Sequence, residues 1–316
     1  MLVSKLNEKF LNDLKYEQSE ALKNAQAGAL WELLNVDGRN SAEGLGLFGF
    51  VLDLPSVYDQ SKDAIEEGLK AAGFNISIEE FKTLTRIALS EFRTVPAIKY
   101  PSLTTDNSEL DDLLGYRRFI NYIELETPKG SKKPEKYENK VRSLLPINAG
   151  SDNKIVRYTK KVFNLTSDKA KELLRNVYGT ANDTSVGIIV SNSDGYDQID
   201  AKSYSVHSYK KMKVYMCSKC HKVTFYNINN KCTDGECAGA LIEINPDEVF
   251  ENNYYRKEYM NRPLEKVYSR EHTAQIKSQE AKKIQQDFKD KKINIISCST
   301  TFEMGIDLDK LNTVFM

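Results

Sequence analysis

The sequence contains no apolar run of the roughly eighteen residues that a membrane-crossing helix needs, so no span is expected. It also lacks a secretory signal, because residues 1–10 alternate charged and apolar side chains without an apolar h-region. Neither charge is in excess: 45 lysines and arginines face 45 aspartates and glutamates. A balanced chain has no global field to draw in a polyanion, so any nucleic-acid contact must use local basic patches. The phosphate-wrapping pattern of Gly, four residues, then Gly-Lys-Ser/Thr is absent, and with it that kind of triphosphate site. Cysteine is scarce at five residues, yet four of the five cluster. Without a secretory signal, such a cluster points to a metal rather than to disulfides. The expectation is a cytoplasmic protein with no membrane partner.

What is there has the texture of a packed protein. The hydrophobic share is 40% and the charged share 28%, both inside the globular range. A chain of 316 residues accommodates about two domains on a prior of ~150 residues each.

Residues 1–98 read mainly as helices. Leu6, Phe10 and Leu14 recur every four positions, as do Leu22, Gln26 and Leu30, with Leu33 and Leu34 nearby. A helix over 64–72 ends at Gly73, a good residue for the left-handed position beyond a helix. Ser77-Ile78-Glu79-Glu80 is a capping box opening a helix with Phe81, Leu84 and Ala88 on one face. Residues 99–152 read as a charged linker or loop, punctuated by Pro101, Pro128, Pro134 and Pro146; a basic loop touching DNA is the alternative. Residues 153–212 follow the order of a winged helix. Ile155, Tyr158 and Val162 mark one helix, and Asn164-Leu165-Thr166 makes a turn. Ser167 caps a second helix with Leu173, Leu174 and Val177 inward, stopped at Gly179. A strand over 188–190, a turn at Asp194-Gly195 and a second strand through Ile199 complete it. Lys169, Lys171 and Arg175 could meet phosphates from the second helix, or the segment could be a small packing domain.

Residues 213–245 carry the strongest local signal. Cys217 and Cys220 are two residues apart, eleven residues follow, and Cys232 and Cys237 close the set with four between them. Zinc takes four thiolate or imidazole ligands in a tetrahedron, and two knuckles can each supply a pair. Val214, Tyr215 and Met216 lead in as a strand, and Thr224, Phe225 and Tyr226 return as another, while Gly235 and Gly239 ease the second turn. His221 could replace a ligand but adjoins Cys220 in the strand return. The expectation is a structural Zn2+ ribbon, because four thiolates leave no open coordination position. Cys298 lies far away in an apolar strand and is expected to be a buried thiol.

Residues 246–316 read as an α/β layer. Residues 265–268 suggest a short strand and Arg270-Glu271-His272-Thr273 a loop. Thr273 caps a helix to Lys289 with Ala281, Ile284 and Phe288 inward. Residues 293–298 are a continuous apolar run of the kind found in a parallel sheet buried on both faces, and residues 313–316 start another strand.

Here a resemblance enters. The segment from Ile293 through Ser299-Thr300-Thr301 and Gly305-Ile306-Asp307-Leu308 resembles motif V of superfamily-two DEAD/DEAH-box helicases. With Glu271-His272-Thr273-Ala274-Gln275 upstream, it is similar to the large bacterial helicases with zinc-binding regions, including anti-phage defence helicases of the DISARM and Druantia type. Trp31-Glu32-Leu33-Leu34 and Ser41-Ala42-Glu43-Gly44-Leu45-Gly46-Leu47 also resemble stretches found between the two motor halves of that group. The resemblance implies that Ser299, Thr300 and Thr301 hold a DNA phosphate and that Gly305 permits close backbone approach. It further implies that Asp307 links the nucleotide cleft to the nucleic-acid side, and that His272 lies in the histidine-bearing loop of the second motor domain.

The same resemblance shows what is missing. No Asp-Glu-Ala-Asp or Asp-Glu-x-His run holds magnesium, and no Gln-Arg-Gly-Arg segment supplies the arginine finger of phosphoryl transfer. Walker A, Walker B and motif VI are thus all lacking, so ATP and Mg2+ belong only to the complete motor. The expected fold class is mixed α and α/β: helical N-terminal region, winged-helix-like segment, zinc ribbon and a partial RecA-like parallel domain. The expected function is a portion of an ATP-dependent DNA helicase or translocase that binds DNA weakly alone. Its partners would be the missing first RecA-like domain and remaining helicase segments, and the sequence is expected to be part of a longer or truncated polypeptide. The alternative is a non-enzymatic winged-helix and zinc-ribbon module that binds DNA or protein.

Overall fold

The computed structural model describes residues 28–34, 38–99, 121–126, 133, 140–146, 150–261, 268–272 and 276–298. The chain divides into two compact units, Met1–Met260 and Asn261–Met316. Among the described residues no helix is long and apolar enough to cross a membrane. The expected stripe of Leu6, Phe10, Leu14, Leu22 and Gln26 lies outside the described residues, as do Pro101, Pro128 and Pro134.

Among the described residues, the earliest element of the first unit is helix α1 (residues 28–34), whose Leu30, Leu33 and Leu34 are buried as their spacing demands. Strand β1 (Phe48–Leu52) follows, inside the stretch read as helical; Phe50 and Leu52 alternate inward, the period of a strand. Three helices come next: α2 (Val57–Gln60), α3 (Lys62–Ala71) and α4 (Ile78–Ser90). Gly73 takes φ +83° just past α3, a conformation that glycine alone adopts without strain. The capping box at α4 forms as its sequence requires, with Ser77 accepting from the Glu80 amide and the Glu80 carboxylate accepting from the Ser77 amide at 3.0 Å.

Strands β2 (Ile98–Lys99), β3 (Tyr122–Glu124) and β4 (Val141–Ser143) then appear, so the segment read as a charged linker contributes ordered strands to a sheet. Helix α5 (Lys154–Phe163) is capped by Asn153 and closed by Asn164 in the left-handed conformation. Helix α6 (Ser167–Ala181) is capped by Thr166, one residue earlier than expected, while the Ser167 hydroxyl bonds the Asp152 carboxylate. Nor does α6 stop at Gly179. A mid-helix glycine costs about 1 kcal/mol, and burial of Tyr178 and Ala181 on either side outweighs it.

Strands β5 (Ile189–Ser191) and β6 (Asp197–Asp200) form the hairpin, turning at Gly195 with φ +78°. Strand β6 also pairs parallel with β2 and antiparallel with β3, and β3 pairs parallel with β4. The two helices and hairpin therefore share a five-stranded sheet with the chain before them, and one core runs from Leu30 to Ile228. Strand β7 (Tyr204–Ser208) pairs antiparallel with β1. Strands β8 (Val214–Cys217), β9 (Val223–Thr224) and β10 (Leu241–Ile244) make a separate sheet in the order β10-β8-β9. Short helices α7 (Pro246–Val249) and α8 (Tyr254–Asn261) follow.

In the second unit, β11 (Ser269–His272) pairs parallel with β12 (Ile295–Cys298), and α9 (Ser278–Lys289) connects them. A strand therefore stands where the Arg270–His272 loop was expected. Its residues have no apolar pattern, and the parallel ladder rather than the side chains defines it. Helix α9 begins behind Lys277; Thr273, the expected cap, lies outside the described residues. Ile284 and Ile293 are buried, but Ile295 is 48% exposed, so among the described residues β12 is not covered on both faces.

Candidate functional site

Strand β8 delivers Cys217 into a tight turn. The Cys217 amide donates to Lys222 O at 3.0 Å, and the His221 amide donates to Cys217 O at 3.1 Å with His221 at φ +58°. This returns the chain at once and sets Cys220 facing Cys217. The second turn is tied to the first by the Ser218 amide, which donates to Ala240 O, and its own two limbs are bridged at Lys231 and Ala240. The amides of Lys219, Asp234 and Gly239 each point at a sulfur, of Cys217, Cys232 and Cys237 respectively, at 3.4 Å. Such donors stabilise thiolate over thiol.

The four sulfurs of Cys217, Cys220, Cys232 and Cys237 all lie within 4.8 Å of one another, with Cys217–Cys237 and Cys220–Cys232 at 3.6 Å. A disulfide needs about 2.05 Å, so these are separate thiols. A zinc tetrahedron with bonds of ~2.3 Å has edges of about 3.8 Å, close to what is seen. The cluster can hold a metal ion, and its chemistry suits zinc. His221 is exposed and stands outside the cluster. Burial opposes ionisation of Cys217, but the amides of Cys220 and Lys219 outweigh it and bring that thiol down to about 7. Burial pushes the thiols of Cys220 and Cys232 up.

The cluster is seated on α5. Lys161 Nζ donates to the main-chain carbonyls of Cys232 at 2.9 Å, Asp234 at 2.7 Å and Cys237 at 2.8 Å, satisfying all three ammonium protons. Asn229 Nδ2 donates to Val162 O, and Arg157 pairs with Glu236 at 2.9 Å. Gly235 lies so close to Lys154 O and the Tyr158 amide that a β-carbon there would overlap the helix. Sequence reading missed Lys161, whose partners lie 71 to 76 positions away. Gly235 and Gly239 were noticed as turn residues, but Gly239 has a stricter duty: a β-carbon on it would overlap Cys217 Sγ.

A second built feature surrounds residues 38–47. Arg93 is 1% exposed and donates to Leu33 O at 2.8 Å and to Glu43 Oε2 at 2.7 Å, with Phe50 and Tyr204 rings against its guanidinium. Burial opposes the Arg93 charge, but Glu43 more than offsets this and holds the guanidinium above its ordinary pKa. Buried Arg256 of α8 donates to Leu45 O and to Asp247, both at 2.6 Å, and stacks on Tyr209. These arginines fix the Ser41 to Leu47 stretch in place.

The candidate phosphate contacts on α6 are engaged within the protein. Lys169 bonds Ala72 O and Glu172, Arg175 pairs with Glu126, and Lys171 is buried 3.8 Å from Asp152. His272 ends β11 in register with Cys298 of β12, on a strand rather than in a loop. Ser299, Thr300, Thr301, Gly305 and Asp307 lie outside the described residues.

A family model described as the helicase conserved C-terminal domain matches residues 244–316. Searches of curated proteins and of solved structures give no match. The chain thus carries a segment similar to the C-terminal domain of superfamily-two helicases, beginning at the last residue of β10 and taking in the β11-α9-β12 unit.

Proposed function

We propose that this chain is a portion of an ATP-dependent DNA helicase or translocase. The observation that carries the reading is the helicase C-terminal match over residues 244–316, on a segment where two parallel strands flank a helix. Parallel strands joined by a helix are the repeating unit of layered α/β motors. In this reading Ser299, Thr300 and Thr301 grip a DNA phosphate beyond the end of β12. Gly305 lets the backbone approach, and Asp307 connects that grip to the nucleotide cleft. His272 stands on the neighbouring strand, in register with Cys298, the last residue of β12. ATP and Mg2+ would be held by parts of the motor that this sequence does not contain, since no phosphate-wrapping loop is present.

The metal in this reading is Zn2+ held by Cys217, Cys220, Cys232 and Cys237. Bound there it supplies folding free energy rather than Lewis-acid chemistry, because four thiolates fill its coordination sphere. The protein's own contribution is Lys161, which fixes the carbonyls of the second knuckle, and Gly239, which leaves room for the Cys217 sulfur. Among helicases, the large bacterial type with zinc-binding regions, of the DISARM and Druantia kind, suits the combination of ribbon and helicase segment.

The test is a pair of assays on the purified chain. Fluorescence anisotropy with a labelled oligonucleotide is expected to show salt-sensitive binding, and a phosphate-release assay no ATP turnover. Hydrolysis that co-purifies with the intact chain, or no binding even at low salt, contradicts the reading.

A further inference from the structure

Residues 201–233 contain seven lysines, Lys202, Lys210, Lys211, Lys213, Lys219, Lys222 and Lys231, and no aspartate, glutamate or arginine. These 33 residues carry a formal charge of +7 in a chain whose total is zero, so the other 283 carry −7. The segment is one continuous path, from the end of β6 through β7 and β8, round the first knuckle and β9, to the second knuckle. Six of the seven lysines are exposed and Lys222 is half-buried.

The absence of acids, rather than pairing alone, separates this segment from the rest of the unit, where Lys62, Lys70 and Lys257 stand singly among nearby acids in sequence and Lys82, Lys133, Lys160 and Lys169 each hold a carboxylate within 3.1 Å. In the acid-free segment Lys213 is paired with Glu243 and Lys210 lies near Asp247. Lys202, Lys211, Lys219 and Lys231 make no ion pair among the described residues. Two of these are neighbours on the ribbon: Gly239 adjoins Lys219, and the next residue, Ala240, bridges to Lys231. The acids of the second knuckle are otherwise engaged, Glu236 by Arg157 and Asp234 by the Glu236 amide.

Unpaired exposed lysines repel one another, and a polyanion relieves that repulsion by releasing counterions. Four of the five aromatic side chains of the segment are engaged within the protein: Tyr204 and Tyr226 beside buried Arg93, Phe225 against Gly49, and Tyr209 against Arg256 and Asp247. Contact through lysine alone reads phosphates, not bases.

We propose that the lysines of residues 201–233 bind the sugar-phosphate backbone of nucleic acid without reading its sequence, as a second contact apart from the Ser299 to Thr301 grip. The proposal rests on the helicase reading for the identity of the polyanion.

The probe is a fluorescein-labelled 20-nucleotide strand, as single-stranded DNA, duplex DNA or RNA, titrated with the intact chain at several salt concentrations. The variant carries Lys202→Gln, Lys211→Gln, Lys219→Gln and Lys231→Gln. It is expected to bind at least tenfold more weakly, with a log–log salt slope smaller by about 3 on a single strand, at ~0.7 per phosphate contact. Scrambling the oligonucleotide is expected to change nothing, and a Lys62→Gln, Lys70→Gln, Lys257→Gln control is expected to match the parent. If zinc content falls in the fourfold variant, Lys202→Gln with Lys211→Gln, both away from the knuckles, is expected to give about half the slope change. Parent and variant binding within twofold of each other overturns the proposal, as does equally tight binding of a polyglutamate peptide. Failure of the parent to bind any of the three nucleic acids sinks the helicase reading and this proposal with it, whereas parent binding that the variant retains overturns this proposal alone.

Discussion

Lys161 Nζ donates to the main-chain carbonyl of Cys237 at 2.8 Å, so a helix residue holds a metal-binding knuckle through its backbone. The same ammonium holds Cys232 O and Asp234 O. With zinc bound, the four thiolates carry a net charge of −2, and Lys161 places a cation beside them. Lys161→Met is expected to weaken zinc binding by ~10- to 100-fold, the usual effect of removing an outer-shell partner. Competition with a chromogenic chelator measures it. Lys161→Arg is expected to rescue incompletely, since a planar fork cannot reach three carbonyls as a tripod does. Parental affinity in Lys161→Met contradicts this role.

Gly239→Ala is expected to lower both zinc stoichiometry and melting temperature, because the added methyl occupies the place of Cys217 Sγ. Gly68→Ala is the control. Gly68 lies mid-helix in α3 with nothing within 4 Å of an added β-carbon, so that change is expected to stabilise by about 0.5–1 kcal/mol. Thermal melts of both variants, read beside zinc content, separate a steric effect at the site from a general glycine effect.

Zinc affinity is expected to rise steeply with pH near neutrality. Burial keeps the thiols of Cys220 and Cys232 protonated above their ordinary range, and metal binding must expel those protons. Below the thiol pKa values each expelled proton changes the apparent affinity about tenfold per pH unit, so these two alone give a slope of about 2, and Cys217, brought down to about 7, adds to it below neutrality. The sign is that acid releases the metal. Chelator competition between pH 6 and pH 8 reads the slope, and a flat profile contradicts protonated thiols in the metal-free site.

Arg93→Met is expected to destabilise the first unit by about 3–5 kcal/mol, because Glu43 is left buried without its cation. Replacing both residues with apolar ones is expected to cost less than the sum of the single changes, since no lone charge remains. Urea unfolding followed by tryptophan fluorescence is suited to this, as Trp31 lies two residues before Leu33, whose carbonyl Arg93 holds. Additive losses would show that the two side chains do not act as a pair.

Local signals were legible in the sequence and distant ones were not. Cysteine spacing announced the cluster because each knuckle is closed within a few residues. The capping box at Ser77 and the turn at Gly195 were equally visible, being fixed by neighbours along the chain. Phe48 to Leu52 was read as part of a helical region because its partner, β7, begins more than 150 residues later. For β11 the defining contact is a parallel ladder to β12, which no pattern in Ser269 to His272 encodes. Thr166 and Ser167 are both able to cap a helix, and Ser167 is instead drawn to Asp152. Lys161 looks like any lysine on an amphipathic helix until the ribbon is laid against it.

The most direct measurement is ultraviolet crosslinking of the intact chain to a photoreactive single-stranded DNA, with the modified peptides mapped by mass spectrometry. Crosslinks in the peptide containing Ser299, Thr300 and Thr301 are the expected result, diminished by Ser299→Ala with Thr300→Ala. Crosslinked chain with no modified residue between Ile295 and Met316 would contradict a helicase grip at this end of the molecule.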